Sequence, residues 1–258
     1  MSRLRPVLIL LFFALLTLPL MPVQQMLIWL WPAMARVFPM HYHRMVRRLI
    51  GVRVKLIGHM PEAGPTLVVS NHVGWMDIVI LSSVAPLSFV AKREVNGWPF
   101  FGSLARLQRT VFVRRDRRHA TGNSRDEMQE RLKAGDTLVL FPEGTSNDGR
   151  SIQPFKSSFF GAAELTGVII QPVTIAYSGH RNLPMNGRLR PFYAWYGDMD
   201  LPPHLWQALA MGPIEVTVIC HPPLSLSGEA SRKALARHAE ALVRQGLVAA
   251  LHGPAEMG

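Results

Sequence analysis

The chain has 258 residues, 48% of them hydrophobic and 17% charged, which excludes an intrinsically disordered protein and leaves length enough for a substantial core. Lys and Arg number 28 against 17 Asp and Glu; the resulting net charge of +11 favours a polyanionic partner such as nucleic acid, an anionic bilayer or a phosphorylated substrate. Cys220 is the single cysteine, which excludes an intrachain disulfide and a thiolate zinc cluster and suits a reducing compartment.

The first predicted element follows Arg3 and Arg5: residues 6–23, "PVLILLFFALLTLPLMPV", carry no charge and as a helix would reach about 27 Å, barely a bilayer span. A second segment, "MLIWLWPAMARVFPMHYHRMVRRLI", has Trp29 and Trp31, is expected to be broken by Pro32 and Pro39, and ends in Arg44, Arg47 and Arg48. Aromatic rings followed by cations suit a headgroup layer, so residues 1–50 read as a membrane anchor plus interfacial helices. The competing reading is a cleaved signal peptide with "AMA" at 33–35, but "QQMLIWLWP" separates the apolar run from that site. The denser arginines after residue 43 favour a catalytic part on the cytoplasmic side.

From Gly51 the pattern changes to short β-branched runs alternating with amphipathic stretches, which predicts an α/β fold. The expected strands are "VRVKLIG", "TLVVS", "LSFVAK", "TVFVR", "TLVLF", "VIIQPVTIAY" and "IEVTVIC". Between the fourth and fifth, Ser124 and Glu127 form a capping-box pattern and Gly135 stops a helix. A C-terminal surface helix places Leu235, Ala239, Leu242 and Gly246 at helical spacing. With no internal repeat or linker, residues 51–258 read as one domain.

"NHVGWMD", residues 71–77, follows the second predicted strand. On a continuous helix His72 and Asp77 would point about 140° apart, so a turn at Gly74 is needed to bring them together. Asp77 would then begin the helix over 78–84, where the dipole favours a carboxylate, and accept the imidazole N–H, leaving the other ring nitrogen as a base. Aspartate fixing the tautomer while histidine takes a proton is the arrangement that activates a hydroxyl. With ten histidines such a pair also arises by chance. No GxSxG elbow, Walker loop or GxGxxG accompanies it, so the hydroxyl is expected on the substrate. "HYH" at 41–43 reads as interfacial side chains, and no metal site is expected.

A second constellation, "LVLFPEGTSNDGR" at 138–150, runs an apolar strand into Glu143, Gly144 and Thr145. Binding groups gather at strand ends of α/β sheets, although Pro and Gly after a strand also make ordinary turns. "NHVGWMD" and "FPEGT", about seventy residues apart, together resemble the glycerolipid acyltransferase family, 1-acylglycerol-3-phosphate acyltransferases among them.

The resemblance implies a mixed sheet flanked by helices and a catalytic pair, His72 as general base with Asp77 as its partner. It also implies substrate-binding roles for Asn71, Arg115, Glu143, Gly144, Thr145 and Pro172. Arg115 is the counterpart, in "RTVFVRRDRR", of an arginine that binds the acceptor, and Arg109 and Arg114 stand where glycine and aspartate are common. The reaction implied moves a fatty acyl group from acyl-CoA or acyl-ACP, as co-substrate and with no bound cofactor, to a lysolipid hydroxyl. Backbone amides near Gly144 would stabilise the oxyanion.

Members that acylate lysophosphatidate commonly read "FPEGTR", whereas this chain has Ser146, and serine cannot supply the charge or the two-pronged grip of arginine. Arg109, Arg114, Arg115 and Lys156 are candidates to replace that charge. Lysophosphatidate is the first expected acceptor, with phosphatidate as the product for phospholipid synthesis; lyso-ornithine lipid, suggested by "EGTSNDG", is the alternative. A non-catalytic basic protein on the anionic membrane surface is a second alternative. Nucleic acid is not expected, since no reading module accompanies the charge. The expected location is a bacterial-type inner membrane.

Overall fold

The computed structural model describes residues 4–60, 65–113, 120–164 and 167–252. In chain order the elements are α1 (Leu4–Leu30), α2 (Pro32–Ile50), β1 (Val52–Ile57), β2 (Thr66–Ser70), α3 (Met76–Val84), β3 (Ser88–Lys92), α4 (Arg93–Asn96) and α5 (Phe101–Leu107). They continue with β4 (Val111–Val113), α6 (Ala120–Lys133), β5 (Thr137–Leu140), β6 (Ile169–His180), β7 (Leu183–Pro184), α7 (Leu201–Met211), β8 (Ile214–Cys220) and α8 (Arg232–His252). The strands form one mixed sheet in the order β1-β8-β6-β2-β5-β3-β4, with β7 against β6. The predicted mixed sheet flanked by helices is the observed architecture.

Period-two alternation builds the two faces. Val68 of β2, Val139 of β5, and Val173, Ile175 and Tyr177 of β6 share one core with Val46 of α2 and Val79 and Ile80 of α3. Leu67, Val69, Leu138, Leu140 and Ile170 face the other way, against Met128 and Leu132 of α6 and Leu235, Ala239, Val243 and Leu247 of α8. In α8 Leu235, Ala239 and Gly246 are buried as expected, and Val243 takes the place expected of Leu242. β2 pairs in parallel with both β5 and β6, so three neighbouring strands present their carboxyl ends on one edge. Residues buried on both faces explain why these strands read as continuous apolar runs.

Two expectations about helices change. Gly135, at φ 81°, does end α6, but the helix begins at Ala120, upstream of the capping-box pattern at Ser124. Pro32 separates α1 from α2, whereas Pro39 lies inside α2 and breaks nothing. A proline at 39 has no N–H for the carbonyl of Ala35, and Gln24 of α1 fills that vacancy by donating Nε2 to Ala35 O at 3.0 Å. The same Nε2 donates to Leu107 O at 2.9 Å, tying α1 to α5 as well.

Among the described residues α1 is the one helix long and apolar enough to cross a membrane by length and composition. Leu8, Leu11, Phe12, Leu15, Leu18 and Trp29 are exposed along it, while Ile9 and Leu27 are buried against the body.

Candidate active site

β2 ends at Ser70, and the next residues leave the sheet edge as a turn that α3 closes. Asn71 is fully buried and extends the ladder with its side chain: Nδ2 donates to Ile175 O at 2.9 Å and Oδ1 accepts from Ile175 N at 2.8 Å. Asn71 therefore fixes the start of the turn to β6 instead of facing a substrate. Gly74 is required by close approach, since a Cβ there would lie 2.9 Å from Trp195 N, a backbone atom. Trp195 N in turn donates to Val73 O at 3.0 Å.

The turn brings His72 and Asp77 together as the sequence suggested. His72 Nδ1 lies 2.7 Å from Asp77 Oδ2, which also accepts from Val73 N at 2.7 Å and Gly74 N at 3.0 Å. Asp77 has no solvent exposure and stands in the first turn of α3. The His72 ring stacks on Phe141, the residue after β5, with centroids 4.1 Å apart and planes at 15°. Its side chain remains 22% exposed, so with Nδ1 engaged the Nε2 side is the one that can meet a substrate.

Tyr177, which sequence reasoning missed, completes the pair: its hydroxyl donates to Asp77 Oδ1 at 3.0 Å. Burial, then the charge of Asp77, raises the Tyr177 hydroxyl well above its usual range, so it stays a donor at every working pH. The only signal was its parity with Val173 and Ile175 in β6. Tyr177→Phe leaves one oxygen of a buried carboxylate without a donor, which should cost about 1–3 kcal/mol of stability in urea unfolding.

Glu143 is 2% exposed, and its carboxylate is fully engaged inside the protein. Oε1 accepts from His72 N at 2.9 Å, and Oε2 from Asn147 Nδ2 at 2.5 Å and Gln153 N at 2.8 Å. Asn147 N donates back to His72 O at 3.0 Å, so both backbone groups of His72 are held by the loop after β5. The substrate-binding role expected of Glu143 is thus replaced by positioning of the His72 backbone. Burial pushes Glu143 up to about 7, with Gln153, His72 and Asn147 pulling the other way.

That shift makes a testable pH dependence. Between the ordinary 4.5 and about 7 the native protein holds a proton that the unfolded chain has released, so stability falls as pH rises through this window and levels off above it. Glu143→Gln removes the titration. Urea unfolding at about pH 5 and about pH 8 should show a smaller loss of stability in the variant, by on the order of 2–3 kcal/mol.

Gly144 turns at φ 77°, and its amide donates to Phe141 O at 3.1 Å, so it does not face an oxyanion. Among the described residues the next two amides, of Thr145 and Ser146, have no acceptor, and Thr145 is exposed. They are the available donors at this edge. Pro172 is buried within β6, paired with Val69, and its carbonyl accepts from His221 N.

Of the cations expected to replace an arginine at 146, Arg109 sits at the wrong end. It precedes β4 and clasps Asp136, just before β5, through Nη1 and Nη2 at 3.0 and 2.8 Å; the dyad lies at the opposite ends of these parallel strands. Burial raises Asp136, but Arg131 and Arg109 outweigh it and hold the carboxyl below its usual range. Lys156 is exposed on the correct side, with its backbone N bonded to Pro142 O. Arg114 and Arg115 lie outside the described residues.

Residues 51–176 match the family model described as Acyltransferase. The chain is 45% identical, over 92% of both chains, to the lyso-ornithine lipid O-acyltransferase of Brucella abortus. It is 42% identical to the protein of that name from Rhizobium meliloti, over 92% of this chain and 84% of the other. A 1-acyl-sn-glycerol-3-phosphate acyltransferase of Neisseria gonorrhoeae is 34% identical over 59% of this chain and 57% of its own. The crystal structure of the 1-acyl-sn-glycerophosphate acyltransferase of Thermotoga maritima shares the fold, with a TM-score of 0.67 at 23% identity over 95% of this chain and 96% of that one.

Proposed function

Because the chain belongs to the acyltransferase family, we propose that it moves a fatty acyl group from an acyl thioester to the hydroxyl of lyso-ornithine lipid. The His72–Asp77 pair at the carboxyl edge of the sheet carries the reaction type. The order of acceptors expected from the sequence is reversed: the relatives at 45% and 42% identity over 92% of this chain bear the lyso-ornithine name, whereas the sequence relative named for 1-acyl-sn-glycerol-3-phosphate matches at 34% over 59% of the chain. Ser146 agrees with that reversal, since a phosphate dianion calls for the second cation that this position lacks.

In this reading His72 Nε2 takes the proton of the acceptor hydroxyl as its oxygen attacks the thioester carbonyl carbon. The imidazolium is stabilised by Asp77, and the amides of Thr145 and Ser146 meet the developing oxyanion. The carbon–sulfur bond then breaks, and His72 returns the proton to the leaving thiolate, of coenzyme A or of acyl carrier protein. No bound cofactor enters these steps.

Residues 1–50 are the membrane-associating part of this proposal and residues 51–258 its acyltransferase domain. Arg5 Nη2 donates to Ile50 O and Gln24 to Leu107 O, so α1 is fastened lengthwise to the body. A helix held this way lies along a bilayer surface with its exposed apolar face inserted, near the headgroups of its substrates. The cytoplasmic face suits the supply of acyl thioesters.

Detergent-solubilised protein given labelled acyl thioester and either lysolipid should label ornithine lipid at the higher kcat/KM. Faster acylation of lysophosphatidate would overturn the acceptor, and transfer to neither would favour the non-catalytic membrane-binding reading.

A further inference from the structure

Beside the dyad, the turn 147–149 and the 3-10 turn at 190–192 bring together two opposite charges, Asp148 and Arg190, that the mechanism above does not use. Gly149 packs on Val73, the residue after His72: a Cβ on Gly149 would lie 3.2 Å from a Val73 methyl, and φ there is 71°. Asn147 N is bonded to His72 O, and Asn147 Oδ1 accepts Gly149 N at 2.7 Å, so the turn is rigidly attached to the base. Arg190 approaches it from the 3-10 turn at 190–192. It is only 7% exposed, and Nη1 donates to Gly149 O at 3.2 Å.

One N–H of the five in that guanidinium is thereby engaged. Asp148 is the opposite charge that Arg190 feels, yet neither residue is in an ion pair among the described residues. Among the described residues Asp148 Oδ1 accepts only Arg150 N, at 3.0 Å. The other nearby cation, Arg150, is exposed and lies against Gly187. A buried cation and a partly exposed carboxylate, held on two neighbouring turns without neutralising each other, form a site for a ligand that carries both signs.

We propose that Arg190 and Asp148 select the acceptor by its headgroup, Arg190 taking a carboxylate and Asp148 an ammonium of a zwitterionic amino-acid lysolipid. The inference rests on the acceptor proposed above. Ornithine acylated on one amine retains one carboxylate and one ammonium, which matches the pair in sign and number. A phosphate monoester would meet Asp148 as a repelling charge, and rejection of the wrong headgroup is as much a part of selectivity as attraction of the right one. Ser146 then has a reason: an arginine there would place a second cation beside the turn and bias it toward phosphate.

The test compares charged and neutralised headgroups on the full-length protein in detergent. With lyso-ornithine lipid, Asp148→Asn should raise KM about tenfold, more than it lowers kcat, as expected for loss of one charge-assisted contact. With the same lipid acetylated on its free amine, the wild type should already show that penalty, and Asp148→Asn should add little. Arg190→Lys should behave in the same way toward the carboxylate and its methyl ester. Because each result is a ratio between two acceptors for one protein, partial misfolding of a variant at the buried arginine cancels. Equal penalties on charged and neutralised headgroups, or none, would overturn the assignment while wild-type use of lyso-ornithine lipid upholds the acceptor. No wild-type transfer to lyso-ornithine lipid would instead defeat the acceptor and the inference with it.

Discussion

Replacing His72 by alanine is expected to lower kcat by about 10³-fold in acyl transfer to lyso-ornithine lipid, within the range contributed by a positioned general base. The protein should still fold, because the groups that place residue 72 are backbone groups: its N–H goes to Glu143 Oε1 and its C=O receives Asn147 N, and neither depends on the imidazole. The ring's own contributions are the stack on Phe141 and one of three donors to Asp77 Oδ2. Its loss should therefore cost only about 1–2 kcal/mol of stability. The acceptor KM should change far less than kcat, since His72 acts on the hydroxyl and not on the headgroup. Activity within tenfold of wild type, in protein whose near-UV circular dichroism matches, would show that another group takes the proton.

How much of this was legible in the sequence follows from how far apart the cooperating groups lie. His72 and Asp77 are five residues apart, and Gly74 and the helix start between and after them are local signals, so the turn could be read before any fold was known. Tyr177 donates to the same carboxylate from one hundred residues away, and only the adjacency of β2 and β6 makes that contact. Glu143 was visible as part of a motif, but its job was not. A carboxylate after a strand resembles a binding group, whereas here three donors in two loops surround it. Arg109 failed for a simpler reason: composition shows a charge near a strand without showing which end of the sheet it occupies. Pro39 looked like a break because the carbonyl it orphans is local, while the Gln24 that satisfies it belongs to another helix.

Asp77→Asn is the second large effect, expected at about 10²–10³-fold in kcat, and the geometry says which part of the aspartate's role it removes. Alanine at 77 would strip the acceptor from two buried backbone amides, Val73 N and Gly74 N, and undo the turn itself. Asparagine can keep the turn if its carbonyl oxygen takes the Oδ2 position, where it still accepts Val73 N, Gly74 N and His72 Nδ1. Its NH₂ then faces Tyr177, whose hydroxyl can rotate to accept. The reverse placement would set an NH₂ against three N–H groups. His72 consequently keeps the proton on Nδ1 and the base on Nε2, so the usual tautomer error of such a substitution is avoided. What disappears is the negative charge that stabilises the imidazolium once it has taken the acceptor's proton. Adding Tyr177→Phe to Asp77→Asn removes the acceptor for that NH₂ and leaves a buried donor unpaired, which loosens the hold on residue 77, so the double variant should lose more activity than Asp77→Asn alone. An unchanged rate on adding the second substitution would mean that Tyr177 does not orient residue 77, and a fall below tenfold for Asp77→Asn would mean that its charge is not what drives the proton transfer.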